Sequence, residues 1–124
     1  MFGFGKKKPS GPAPRRSNAD LRREMAKGGD DGRAIRRVVH TARPAEKGMN
    51  AAKHEVRRIV TGIADVRFTE TPEMPGVVFE QRREVASSEF DQICERIERT
   101  LDQRGWIYEG WTCPDPGPAS EARA

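Results

Sequence analysis

RGWIYEGWTC, residues 104–113, holds both tryptophans and the only tyrosine of a 124-residue chain that is 6% aromatic. Gly105 ends whatever precedes it, and the apolar and polar positions that follow have the period of a strand. A regular strand puts Trp106, Tyr108 and Gly110 on one face and Ile107, Glu109 and Trp111 on the other. One face closes a core beneath helices. The other keeps an aromatic exposed beside a glycine. Three roles fit rings this close together: a last core strand, a stacking platform for nucleic acid, or an anchor for a protein partner. Gly110 itself either leaves room for a partner or marks a bulge that needs positive φ.

The segments upstream set the context. Ser88 starts a helix over residues 89–103, with Asp91 as the acid of a capping box. Phe90, Ile93, Cys94, Ile97 and Leu101 form its buried stripe. VVFEQRREV, residues 77–85, is a strand, TPEMPG the hairpin loop before it, and DVRFTE a strand with Val66 and Phe68 on one face. Residues 45–64 place Met49, Ala52, Val56, Ile59, Val60 and Ile63 on one side of a helix. Ala34 to Ala42 make another strand, ended ahead of Pro44. A short helix capped by Asn18 or Asp20 runs to Lys27, where Gly28 and Gly29 stop it. The order is a helix, then β-α-β-β-α-β. The expected fold is therefore α+β and ferredoxin-like: a four-stranded antiparallel sheet with two helices on one face, preceded by a short N-terminal helix.

At 35% hydrophobic and 34% charged, the chain supports one modest core. Residues 1–18 form a basic Pro/Gly-rich leader and residues 114–124 a tail, both expected to be disordered around a domain at residues 19–113. The net charge of +4 belongs to the leader. Lys6, Lys7, Lys8, Arg15 and Arg16 stand there with no acid, so the rest carries −1. These five cations are the candidate contacts for nucleic acid or another anionic surface. No apolar run approaches the ~20 residues of a membrane span. The tip MFGF precedes its basic residues, the reverse of a secretory signal. Two cysteines, Cys94 and Cys113, are too few for a disulfide framework. The expected location is the cytoplasm.

No metal, cofactor or small-molecule ligand is expected. His40, His54, Cys94 and Cys113 lack paired ligand spacing. No G-x-S-x-G, P-loop or G-x-G-x-x-G motif is present, and Ser87 and Ser88 serve as helix caps. An acylphosphatase-like site needs an Arg and an Asn, and only Asn18 and Asn50 exist. For RNA stacking on the central strands, the rings are Phe79 and the imidazole of His40, and the RNA-binding signature is absent. Arg33, Arg36, Arg37, Arg82 and Arg83 offer phosphate contacts.

FDQICERIERTLDQRGWIYEGW resembles the C-terminal half of the RraB family, protein inhibitors of ribonuclease E. That family has an "fD" helix start and a strand of the form Y-D-G-W, here Tyr108, Glu109, Gly110 and Trp111. MAKGGDDGRAIRRVVHTARP resembles the family's opening, a Gly-Asp-Asp turn leading into a strand with an Arg and a His. Here these are Gly29, Asp30, Asp31, Arg37 and His40. The resemblance covers roughly residues 20–112. It implies a compact α+β, non-enzymatic regulator that binds ribonuclease E or a related nuclease, with RNA contact through the leader as the alternative. Candidate partner-binding residues are Trp106, Tyr108, Gly110, Trp111, His40 and Arg37. The chain departs from the family in charge. Members with strongly acidic domains and tails can attract basic segments, which this near-neutral domain does weakly.

Overall fold

A computed structural model describes residues 15–114; what was expected of Lys6, Lys7, Lys8 and residues 115–124 falls outside them. The elements are α1 (Asn18–Lys27), β1 (Arg36–Pro44), α2 (Lys53–Ile63), β2 (Arg67–Thr69), β3 (Val77–Arg83), α3 (Ser88–Asp102) and β4 (Trp106–Thr112). The architecture is α+β, a four-stranded antiparallel sheet with three helices. The sheet order is β2-β3-β1-β4, so β1 lies between β3 and β4.

Alternation along the strands sorts the two faces. Val38, His40 and Ala42 of β1, Val77, Phe79 and Gln81 of β3, and Trp106 and Tyr108 of β4 are buried. They meet Val56 and Val60 of α2 and Phe90, Cys94, Ile97 and Leu101 of α3. The intervening residues, among them Arg37, Val39, Thr41, Val78, Glu80 and Ile107, lie on the opposite face and are partly exposed.

β4 departs from a regular strand. Tyr108 pairs with Ala42 and Gly110 with Thr41, which leaves Glu109 as the extra residue of a β-bulge. Gly110 has φ +105°, a conformation that residues with a Cβ rarely adopt. One inserted residue shifts the parity of everything after it. Trp111 therefore turns to the helix side and packs edge-on against Phe90, with ring centroids 5.2 Å apart. The sequence reading placed Trp111 on the face opposite Trp106 and Tyr108. The bulge corrects it: all three rings are buried, at 2%, 3% and 5% exposure in chain order.

Several element ends also move. The cap of α1 is Ser17, whose hydroxyl accepts from Asp20 N–H, in place of Asn18 or Asp20. The cap of α3 is Ser87, accepting from Phe90 N–H. Asp91 therefore lies one residue beyond the capping-box position and instead receives Arg22 and Asn18. The helix expected over residues 45–64 begins only at Lys53, and Met49 is exposed. The freed segment is fastened to the α3–β4 turn: Ala45 N–H donates to Gly105 O, Ala51 N–H to Arg104 O and Trp106 Nε1–H to Ala51 O. Gly105, at φ +78°, has no room for a Cβ, which would collide with Met49 O. At the other end Arg15 to Asn18, assigned by composition to the leader, pack on the domain. Asn18 is buried and accepts from Trp111 Nε1–H at 2.8 Å.

Candidate functional site

The inner face carries a polar cluster inside the core. His40 is fully buried, stacked on Phe79 at 4.9 Å, with Nδ1 2.7 Å from Tyr108 Oη and Nε2 3.0 Å from Gln81 Oε1. A carboxamide oxygen only accepts, so with Gln81 in this orientation the imidazole carries its proton on Nε2 and Nδ1 accepts from the tyrosine hydroxyl. Cys94 Sγ is 3.6 Å from the same hydroxyl. Burial pushes the His40 pKa down to about 4, against the opposing hydrogen bond to Gln81 and assisted by the Arg15 charge. Burial raises the Tyr108 hydroxyl well above its ordinary value, with the neighbouring Cys94 adding to it, and raises the Cys94 thiol. All three groups are thus neutral near pH 7. The cluster satisfies buried polar atoms within the core.

Arg15 closes this region from outside. Its guanidinium lies 5.1 Å from the Tyr108 ring centroid and binds Glu98 and the Asn18 carboxamide oxygen. Burial pushes the Asp91 carboxyl up, but hydrogen bonds from Arg22 and Asn18 outweigh it and hold that carboxyl below its ordinary value.

No helix of the described residues contributes to the opposite face. Along β1 it presents Arg37, Val39, Thr41 and Arg43; β3 adds Val78, Glu80 and Arg82, and β4 adds Ile107 and Glu109. Glu80 is held by Arg37 at 2.6 Å and by Arg67 at 3.2 Å, and these two arginines keep its carboxyl below the ordinary range. Arg43 pairs with Glu109 at 3.0 Å. Where β1 begins and β3 ends, a groove of about 900 Å³ is lined by Arg37, Arg67, Arg82 and Arg83 with Asp65 and Glu80. No ring of the described residues lies on this face, since Phe79, Trp106, Tyr108 and Trp111 all face the helices.

The expected site residues therefore separate. Trp106, Tyr108, Trp111 and His40 are brought together in the core, and of these Trp106 and Tyr108 also form part of the wall of a groove of about 680 Å³ with Arg15, Arg43, Glu98 and Asp102. Gly110 is buried at the bulge and serves the backbone turn. Arg37 alone of that set stands on an open surface. Among the leader cations, Arg15 has a side chain only 14% exposed and fully engaged, so it is not a free anionic contact; Arg16 is exposed and 3.7 Å from Glu24. Sequence reasoning missed Asn18 and Gln81 as partners of the core rings, which depends on packing rather than on any local pattern. It also left Arg67 and Glu80 out of the surface site, although the paired arginines 36–37 and 82–83 marked both ends of it.

No known family model matches the chain, and no curated protein or solved structure matches it.

Proposed function

We propose that this chain is a cytoplasmic, non-enzymatic, protein-binding regulator of the RraB type, which modulates RNA degradation by binding ribonuclease E or a related nuclease. The observation that carries the reading is the outer sheet face, on which the described residues place arginines interleaved with Val39, Val78 and Ile107 and neither a helix nor an aromatic ring. A sheet that reads RNA stacks bases on aromatics of its central strands; a protein interface needs apolar contact with charged groups that fix its register. We also take the fold as ferredoxin-like. β3 separates β1 from β2, and β1 separates β3 from β4, the pattern of two split β-α-β units. The residues of the resemblance meet in this arrangement: His40 bonds Tyr108, Gly110 makes the bulge, Trp111 fills the core and Asp30 binds Arg36. They support a shared fold, while the exposed face would set the target.

The test is calorimetric titration of the full chain against purified ribonuclease E stripped of RNA, and separately against single-stranded RNA. A stable complex with the nuclease that alters its cleavage rate supports the proposal. RNA binding with a log–log salt slope of about −2, as three lysines give on a single strand, abolished by deleting residues 1–14, together with no nuclease complex, would establish the RNA-binding alternative.

A further inference from the structure

The register of β1 against β3 sets arginine opposite arginine on two successive rungs, Arg36 with Arg83 and Arg37 with Arg82. Residues directly opposite on an antiparallel pair have Cβ atoms only about 4.5–5.5 Å apart, and like charges so placed repel. The repulsion is answered unevenly. Arg36 is bound by Asp30, with one contact at 2.8 Å, and Arg83 lies 3.2 Å from Glu89. On the open face Arg37 and Arg67 both bind Glu80. Arg82, beside them, is exposed and has no ion pair among the described residues. Among the described residues, the groove beside Arg82 is lined by Arg37, Arg67 and Arg83 with the acids Asp65 and Glu80.

We propose that this end of the open face is a docking site for an extended, acidic segment of a partner protein, whose carboxylates pair with Arg82 and whose aliphatic side chains lie on Val39, Val78 and Ile107. Planar guanidiniums take carboxylates bidentately, and an added carboxylate would relieve the rung of opposed charge. The alternation of Arg37, Val39, Thr41 and Arg43 along β1 repeats every second residue, the spacing of an extended peptide laid over it. A phosphodiester chain would satisfy the arginines, but its bases would find no ring among the described residues of this face. The inference rests on the protein-binding reading above and names the chemistry of the partner, which is opposite in sign to the basic targets suited to an acidic regulator.

The experiment uses the full chain, with fluorescence anisotropy of three labelled probes: a peptide alternating Asp and Leu, the same peptide with Asn for Asp, and an oligouridylate of equal length. The Asp–Leu peptide should bind, and its Asn counterpart should bind about tenfold or more weakly, as expected for lost charge-assisted contacts. Arg82→Glu should weaken the Asp–Leu peptide by at least about tenfold while leaving the melting temperature unchanged, since the side chain is exposed. Equal binding of the two peptides, indifference to Arg82→Glu, or tighter binding of oligouridylate than of the acidic peptide would overturn the proposal. Ribonuclease E is titrated with the same variants. If the nuclease binds and Arg82→Glu has no effect, the docking face is wrong and the regulator reading stands; if the acidic peptide binds and the nuclease does not, the reverse holds.

Discussion

The two edge strands of this sheet each follow a helix, yet they carry different loads. β2 has three residues, and its inward ring, Phe68, is half-buried, 5.0 Å from Phe79 with Arg57 5.7 Å from its centroid. β4 has seven residues and three buried rings, each with its polar atom satisfied: Trp106 by Ala51 O, Tyr108 by His40 and Trp111 by Asn18. The helices repeat the contrast. α2 buries Val56 and Val60, whereas α3 buries Phe90, Cys94, Ile97 and Leu101. Each fully buried side chain of this size contributes about 1.5–3 kcal/mol. Topological equivalence therefore does not mean energetic equivalence. The β4 edge anchors the domain, and the β2 edge is the first place for local opening.

The largest expected effect tests the anchored side. Trp111→Ala should cost about 3–5 kcal/mol, because it empties a packed site and removes one of the two donors to the Asn18 carboxamide oxygen, leaving Arg15. Urea unfolding measures it, and a loss below about 1 kcal/mol would mean that β4 is not the anchor.

Acid should act on the same side. His40 titrates near 6.5 in the unfolded chain and about 4 in the fold, so between those values the unfolded chain takes up a proton that the fold refuses. Stability from this group is complete above pH 6.5 and is lost as pH falls, by about 2 kcal/mol at pH 5 and about 3 kcal/mol at pH 4. Comparing unfolding of wild type and His40→Gln at pH 7 and pH 5 isolates this contribution from the carboxylates. A wild-type change no larger than that of the variant would show that the imidazole does not set the response.

Gly110→Ala should cost about 1–3 kcal/mol, the expense of forcing a Cβ into φ +105°. The space around it is not limiting, since the nearest atom to a Cβ is Arg15 Cδ at 3.6 Å. If the variant is as stable as wild type, the bulge can relax. Phe68→Ala, on the lighter edge, should cost the least, about 1–2 kcal/mol, below the range for a fully buried ring. A loss equal to that of Trp111→Ala would abolish the contrast between the edges. Hydrogen exchange sharpens it: amides of β2 should exchange well before those of β1.

The element order was legible because helix and strand periods differ so plainly. Phe90, Cys94, Ile97 and Leu101 recur at helical spacing, and all four are buried. The direction of Trp111 was not legible, because a strand period carries no record of an inserted residue; only the glycine hinted at it. The caps moved by one position because adjacent serines and Asn18 offer equivalent side-chain oxygens, and tertiary packing chose among them. The surface site was half legible. The arginine dipeptides were visible in the chain, but that they face one another is a matter of register, fixed by two strands forty-odd residues apart.

The central position of β1 has a consequence for the chain as it is made. β1 leaves the ribosome before either strand that flanks it. His40 waits 39 residues for Phe79, its partner on β3, which at about 5–20 residues per second is roughly 2–8 s. During that wait VVHTA is an unpaired apolar run with high strand propensity, bracketed by Arg36 and Arg37 before it and Arg43 after it. Flanking charge of this kind keeps such runs on neighbouring nascent chains from associating. Arginines that repel across a rung in the finished sheet thus protect its middle strand before the sheet exists.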